Sequence, residues 1–373
     1  VTLAFCLRRK ERASGTLSLY ASNVYRVFAD GKLIGYGPER TAVGYSRERS
    51  IDIGSARDIV VEVAGYNISC YANALERPFF AAEIVCGGRV VASTEDFGCR
   101  FIDDRLRRVQ RLSFQRNFVE YYCMRSDKSR FYCGEFGLYP AAETEEVCAP
   151  ICLEGNIDNV SYDEIALSLS GEGSAARGEN MPCPPKYIWW EDFAECDKMD
   201  GYKAAELDAD LVRELSNVDF SRRGELHYRV FEAKTAVTGL INLHVKAGSD
   251  CTVYAVFDEI AEDKAGVPLP EFSRPVFHNA AAWRLAAGEY GLLTFEPYEF
   301  KYLSVICDGE AETESVGLIE IANREACAEF KCTDEKIKKV FNAGKNSFRQ
   351  NATDIFMDCP GRERAGWLCD AYF

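Results

Sequence analysis

The chain has 373 residues, more than the ~100–200 of one ordinary core, so two or three folded units are expected. With 47% hydrophobic and 12% aromatic residues it has apolar surface for real cores, which excludes long disorder. Its 59 acidic against 44 basic residues give a formal charge of −15, which repels nucleic acid and anionic lipid and speaks against both as partners.

From Gly15 to Val63 apolar residues alternate at period two, the grammar of strands, with Leu17, Leu19, Val27, Leu33, Val61 and Val63 on the repeat. Asp30-Gly31 between YRVFA and KLIGY predicts a type I′ hairpin, because both central positions of that turn need positive φ. Further runs at Phe79–Val85, Arg89–Ala92 and Phe118–Tyr122 extend a first β-sandwich over 1–141. Residues 142–185 are rich in acidic and small residues, SLSGEGSAARGEN among them, and predict a linker or mobile insertion. Leu207, Leu211 and Leu215 stack at spacing four and predict a short helix over Lys203–Leu215. Strand patterns return at Leu240–Val245, Thr252–Phe257, Leu292–Phe295 and Tyr302–Cys307, predicting a second β-sandwich over 186–325.

The period then becomes helical. Thr333 as N-cap, Asp334 and Glu335 in the first turn, and apolar Ile337, Val340, Phe341 and Phe348 predict an amphipathic helix of about five turns ending near Phe356, before Pro360 and Gly361. One such helix needs partners for its apolar stripe, and the sequence offers none.

The sixteen cysteines include no CxxC pair and no framework spacing, so they read as small, buried, reduced hydrophobes. His227, His244 and His278 stand apart from one another and from any cysteine pair, so no metal site is expected. No apolar run reaches the ~18–20 residues of a membrane span, and no signal-peptide core opens the chain, so a cytoplasmic location is expected, with secretion after removal of a leader as the alternative. No glycine-rich phosphate loop opens a helix, and no cofactor is expected. Trp189-Trp190 reads as a domain-junction anchor or a sugar-stacking platform, and Asp258-Glu259 as a solvated acidic pair or a ligand contact at a strand end.

After the helix, Asp358 to Asp370 holds three carboxylates, two arginines and a tryptophan. Such a cluster suits a glycosidase, in which one carboxyl gives its proton to the leaving oxygen and a second acts from the other side of the sugar. It equally suits a structural ion-pair loop. DCPGRERAGWLCD resembles the signature loop of the bacterial α-L-rhamnosidase family of inverting glycoside hydrolases. More weakly, YRVFADGKLIGYGPERTAVGYSR, with its Gly-Pro-x-Arg segment, VQRLSFQRNFVEYY, AVTGLINLHVKAGSDCTVYAVFDEI and FEPYEFKYLSV resemble that family's β domains.

The resemblance implies a mainly β fold of two jelly-roll-like sandwich domains, followed over 326–373 by the first helix of an (α/α) six-hairpin barrel. It makes Glu363 the general acid, with Asp358 and Asp370 on sugar hydroxyls, Trp367 packed on the rhamnose ring, and Arg362 and Arg364 binding substrate or orienting carboxylates. Cys369 departs from the glycine common in the family, and Asp358 and Glu363 are one residue closer than in some relatives. No residue matches the later barrel glutamate that serves as base, so this chain alone is expected not to turn over substrate. The implied partner is a rhamnose-containing glycoside or polysaccharide, and self-association stays open. The rival readings are a non-catalytic carbohydrate-binding protein and a six-hairpin glycosidase for another sugar.

Overall fold

The computed structural model describes residues 2–66, 69–74, 78–113, 115–148, 150–155, 160–178, 207–264, 266–274, 277–324, 327–367 and 369. The fold is mainly β. In the first unit, a five-stranded sheet runs in the order Gly98–Ile102, Thr2–Arg8, Asp58–Ala64, Val24–Ala29, Lys32–Gly37. It faces a four-stranded sheet in the order Arg49–Gly54, Gly15–Ala21, Phe80–Cys86, Arg89–Ser93. Leu17, Leu19, Val27, Ile51, Val61 and Ile84 interdigitate between the sheets as the core. The predicted hairpin forms, with Asp30 at φ 45° and Gly31 at φ 84°, and the Asp30 carboxylate accepts the Arg57 and Asp58 N–H groups.

Every residue of Asp58–Ala64 is buried, because the sheet is covered on both faces. Its second face joins Val60, Phe28 and Ala4 to Phe131, Leu240 and Ile319, which ties the first unit to the second.

The second unit is built on a ten-stranded sheet whose main path runs Glu120–Met124, Ala280–Leu285, Cys251–Asp258, Tyr298–Asp308, Leu226–Ala247, Ser168–Arg177, Val218–Asp219. Leu226–Ala247 is its spine. It pairs with Tyr298–Asp308 as far as Gly239, through an irregularity between Glu232 and Val237, and beyond that with Ala311–Glu320 and Gly288–Leu293. A strand that changes partners near such a break turns a sandwich corner.

Several expectations are corrected here. The run at Phe118–Tyr122 does not extend the first sandwich, since Glu120–Met124 pairs in parallel with Ala280–Leu285 of the second sheet. Ser168–Arg177, expected as linker, is a ten-residue strand antiparallel to the spine; backbone pairing holds it, which its small polar side chains conceal. Among the described residues the short helix covers Leu211–Ser216: Arg108 holds Asp208 in an ion pair, and Asp210 caps the helix by accepting the Arg213 N–H. Of the described cysteines only Cys6, Cys99, Cys251 and Cys307 are buried, while Cys133, Cys148 and Cys152 are exposed. Trp189-Trp190 lies outside the described residues.

The long helix spans Glu335–Asn351, with Asp334 rather than Thr333 as N-cap, accepting from the Lys336 and Ile337 N–H groups. Its last turn is tied to the spine's irregularity: Gln350 accepts the Thr238 N–H, and Arg349 donates to the Asn323 carbonyl and to Glu320. Ile337, Val340 and Phe348 remain exposed on its apolar stripe.

Candidate active site

The loop after this helix closes on itself. The Asp358 N–H donates to the Ala365 carbonyl, and its two carboxylate oxygens accept the Ala365 N–H and the Cys359 thiol. Cys359 also accepts the Glu363 N–H at its sulfur and the Arg364 N–H at its carbonyl. Both Asp358 oxygens therefore serve the loop.

Both β units grip this loop. Arg40, of the Gly-Pro-x-Arg segment, binds Asp354 through two guanidinium nitrogens and also donates to the Arg364 carbonyl. Burial pushes the Asp354 carboxyl up, but Arg40 outweighs it through charge and hydrogen bonds and holds it down at about 2. From the second unit Arg116 donates to the Gly361 carbonyl at 2.6 Å and pairs with Glu296 at 3.1 Å. Against Gly361 lies Glu299, whose oxygen stands 2.9 Å from where a Cβ would be. Burial first, and the neighbouring Glu259 second, push Glu299 up to about 8, against the pull of the Gly361 N–H. Of Asp258-Glu259, Asp258 is buried, while Glu259 is exposed and faces the Glu299 carboxyl that supports the loop.

At the loop's apex Glu363 collects three donors. Gln115 Nε2 donates to one oxygen at 2.5 Å, Trp367 Nε1 to the other at 2.6 Å, and Arg362 approaches the first at 3.2 Å. Trp367 is 42% exposed, and Tyr71 of the first unit meets its ring edge-on at 5.7 Å between centroids.

The structure therefore unites Glu363, Trp367 and Arg362 at one exposed face. Arg364 is not with them; its side chain is buried towards Tyr36 and Arg116. Asp370 lies outside the described residues. Reading by residue type missed Gln115, Tyr71, Arg40 and Glu299. Gln115, Arg40 and Glu299 do fall inside stretches that resemble the family, and that was the only available signal.

Residues 325–373 match the bacterial α-L-rhamnosidase six-hairpin glycosidase domain. The family match rests on this segment. No curated relative matches the chain. Among solved structures, the rhamnosidase of Bacillus sp. GL1 aligns with a TM-score of 0.73 at 12% identity over 97% of this chain and 58% of its own. The α-L-rhamnosidase of Dictyoglomus thermophilum gives 0.62 at 14% identity over 99% of this chain and 38% of its own. That of Streptomyces avermitilis, solved with L-rhamnose, gives 0.56 at 15% over 98% and 33%. The chain thus spans 58% or less of these rhamnosidases while nearly all of it aligns, and the two β units share their fold.

Proposed function

We propose that this chain supplies the β units and the acid loop of an inverting glycoside hydrolase that releases terminal α-L-rhamnose, with Glu363 as general acid. The observation that carries this reading is the Glu363 carboxyl held between Gln115 and Trp367 beside an exposed indole face. Glu363 gives its proton to the departing glycosidic oxygen. The carboxylate left behind accepts the Gln115 amide, the Trp367 indole N–H and the Arg362 guanidinium, donors already in place when the charge develops. Trp367 offers its apolar face to a 6-deoxy sugar, whose methyl group is buried more readily than a hydroxymethyl.

Inversion needs a second carboxylate roughly 6.5–9.5 Å from the acid, with room for a water between them. We assign that role to none of the residues of this chain. Glu299, the buried carboxyl against the loop, is engaged by Gly361 and Glu259, which suits support rather than activation of water.

The test is hydrolysis of an aryl α-L-rhamnoside by the complete gene product, its Glu363→Gln variant and residues 1–373 alone. The variant should lose about 10²–10⁴-fold in rate, and the 1–373 chain should not turn over. Full activity in Glu363→Gln would remove Glu363 from the role. Hydrolysis of another chromogenic glycoside with none of the rhamnoside would transfer the assignment to a different sugar.

A further inference from the structure

Behind the acid loop, where the first unit meets the loop, lies a cavity of about 120 Å³. A single water needs ~10–15 Å³ on such a measure, so the space accommodates on the order of ten heavy atoms, the size of one sugar ring with its substituents. Its wall brings together Asn23 and Arg49 of the first sandwich, Asn73 of the following loop, Asn117 and Glu296 of the second unit, and Arg364 of the acid loop.

The polar inventory of this wall does not close on itself. Asn23 is 6% exposed, and neither its amide nitrogen nor its amide oxygen has a hydrogen-bond partner, so turning the amide over changes nothing. Asn117, 2% exposed, donates to Asn73 and Glu296 but leaves its oxygen unmet, and the Asn73 nitrogen is unmet as well. Arg364, 8% exposed, has an unmet Nε. Leaving a buried polar atom unmet is costly, so native proteins retain few of them without a use.

Charge points the same way. Three carboxylates line the cavity, and each is taken by a different arginine: Glu39 by Arg49 at 2.8 Å, Asp354 by Arg40 at 2.6 Å and Glu296 by Arg116 at 3.1 Å. Arg364 is left over as a buried guanidinium with no ion pair among the described residues. Burial, then Arg116 and Arg40, pull it below the usual arginine value against the opposing influence of Tyr36 and Glu296. The chain also accepts strain to place two of these groups. Asn23 at φ 62° and Arg364 at φ 56° are two of only three non-glycine residues with positive φ among the described residues.

We infer that this junction cavity is a binding site for a small hydroxylated carboxylate of sugar-acid size, held by Arg364, Asn23, Asn73 and Asn117. A carboxylate supplies the charge that Arg364 lacks and accepts from Nε and the free amide nitrogens. Hydroxyls donate to the Asn23 and Asn117 oxygens. An inorganic anion leaves those acceptor oxygens unmet, and a neutral sugar leaves the guanidinium uncompensated. This assignment is independent of the hydrolytic reading, since it concerns equilibrium binding on the other side of the loop.

The experiment is calorimetric titration of the protein with glucuronate, glucose and phosphate, repeated with Asn23→Gly, Asn23→Asp and Trp367→Ala. Glycine suits the left-handed backbone at 23, so Asn23→Gly removes the amide without backbone strain; thermal melting confirms that each variant is folded. Glucuronate should bind at least about tenfold more tightly than glucose or phosphate, Asn23→Gly should weaken it by about tenfold, Asn23→Asp should abolish it, and Trp367→Ala should leave it unchanged. No binding of glucuronate would mean the cavity holds water only and would overturn the proposal. Equal binding of glucose or phosphate would overturn the ligand class, and loss in Trp367→Ala with retention in Asn23→Gly would move the ligand to the acid loop.

Discussion

Gln115 touches the proposed acid and not the sugar-facing indole, so its contribution should appear in turnover rather than in affinity. A hydrogen bond to a charged group is worth roughly 1.5–3 kcal/mol. In the complete gene product Gln115→Leu should therefore lower kcat about tenfold to hundredfold while KM stays within about twofold; a rise in KM at constant kcat would make Gln115 a substrate contact instead. Glu299 offers a second residue-scale test, in pH. Its folded value of about 8 lies above the ordinary 4.5, so the folded state holds a proton that the unfolded state has released between those values. Its contribution to stability is complete below about 4.5 and is lost as the pH rises towards 8. Glu299→Gln keeps the neutral form at every pH, so its melting temperature should fall less than that of the parent between pH 5 and 8. Parallel curves would show that Glu299 does not titrate in that window. Glu363 was legible from its motif, but Gln115 was not, because the contact joins residues 248 positions apart and a lone glutamine in a polar stretch carries no local signal.

Among the elements, those with strong local chemistry were the legible ones. The Asp30-Gly31 hairpin follows from positive φ, and the helix over Glu335–Asn351 follows from its apolar period and a carboxylate cap. Ser168–Arg177 has no alternation, and its one large apolar residue, Leu169, is exposed; its strand exists because Leu226–Ala247 pairs its backbone beside it, a tertiary cause that the sequence does not display. The turn between the helix and the acid loop is likewise set from a distance, by Arg40 on Asp354. Removing one partner of a largely buried ion pair costs ~3–5 kcal/mol because the other charge remains. Arg40→Ala should therefore lower the melting temperature and speed hydrogen exchange across 353–366. The same pair fixes a response to acid: Asp354 is held at about 2 against an ordinary 3.8, so the stability it lends is present above about 4 and is lost as the pH falls towards 2. Unchanged exchange in Arg40→Ala would show that the loop is held by its internal Asp358 bonds alone.

At the scale of the whole molecule, the arrangement of the two β units decides whether Tyr71 and Gln115 reach the same loop, and beside the Tyr66–Glu296 and Asn117–Asn73 contacts one buried polar node helps to hold that arrangement. Arg26, 1% exposed, rises from the first sheet and donates to Glu62 beside it, to Tyr132, and across the boundary to the carbonyls of Leu293 and Thr294. Lys128 reaches Glu62 from the connecting segment at 2.8 Å, and the apolar patch of Val60, Phe131, Leu240 and Ile319 surrounds the group. The patch alone would let the units slide, since burial of area is non-directional; the guanidinium fork fixes one geometry, because its donors match carbonyls and a carboxylate only in one orientation. Arg26→Met keeps the apolar contact and removes the fork, leaving two carbonyls unmet and Glu62 with Lys128 alone. The stability lost should approach the ~3–5 kcal/mol of a broken buried pair, and it should fall on the boundary rather than on either core. Calorimetry should then resolve two unfolding transitions where the parent shows one, with new proteolytic cleavage between residues 103 and 141. A single transition at the parental temperature would mean that the apolar patch fixes the docking without Arg26, and the geometry that brings Gln115 to Glu363 would have to be credited to the sheets themselves.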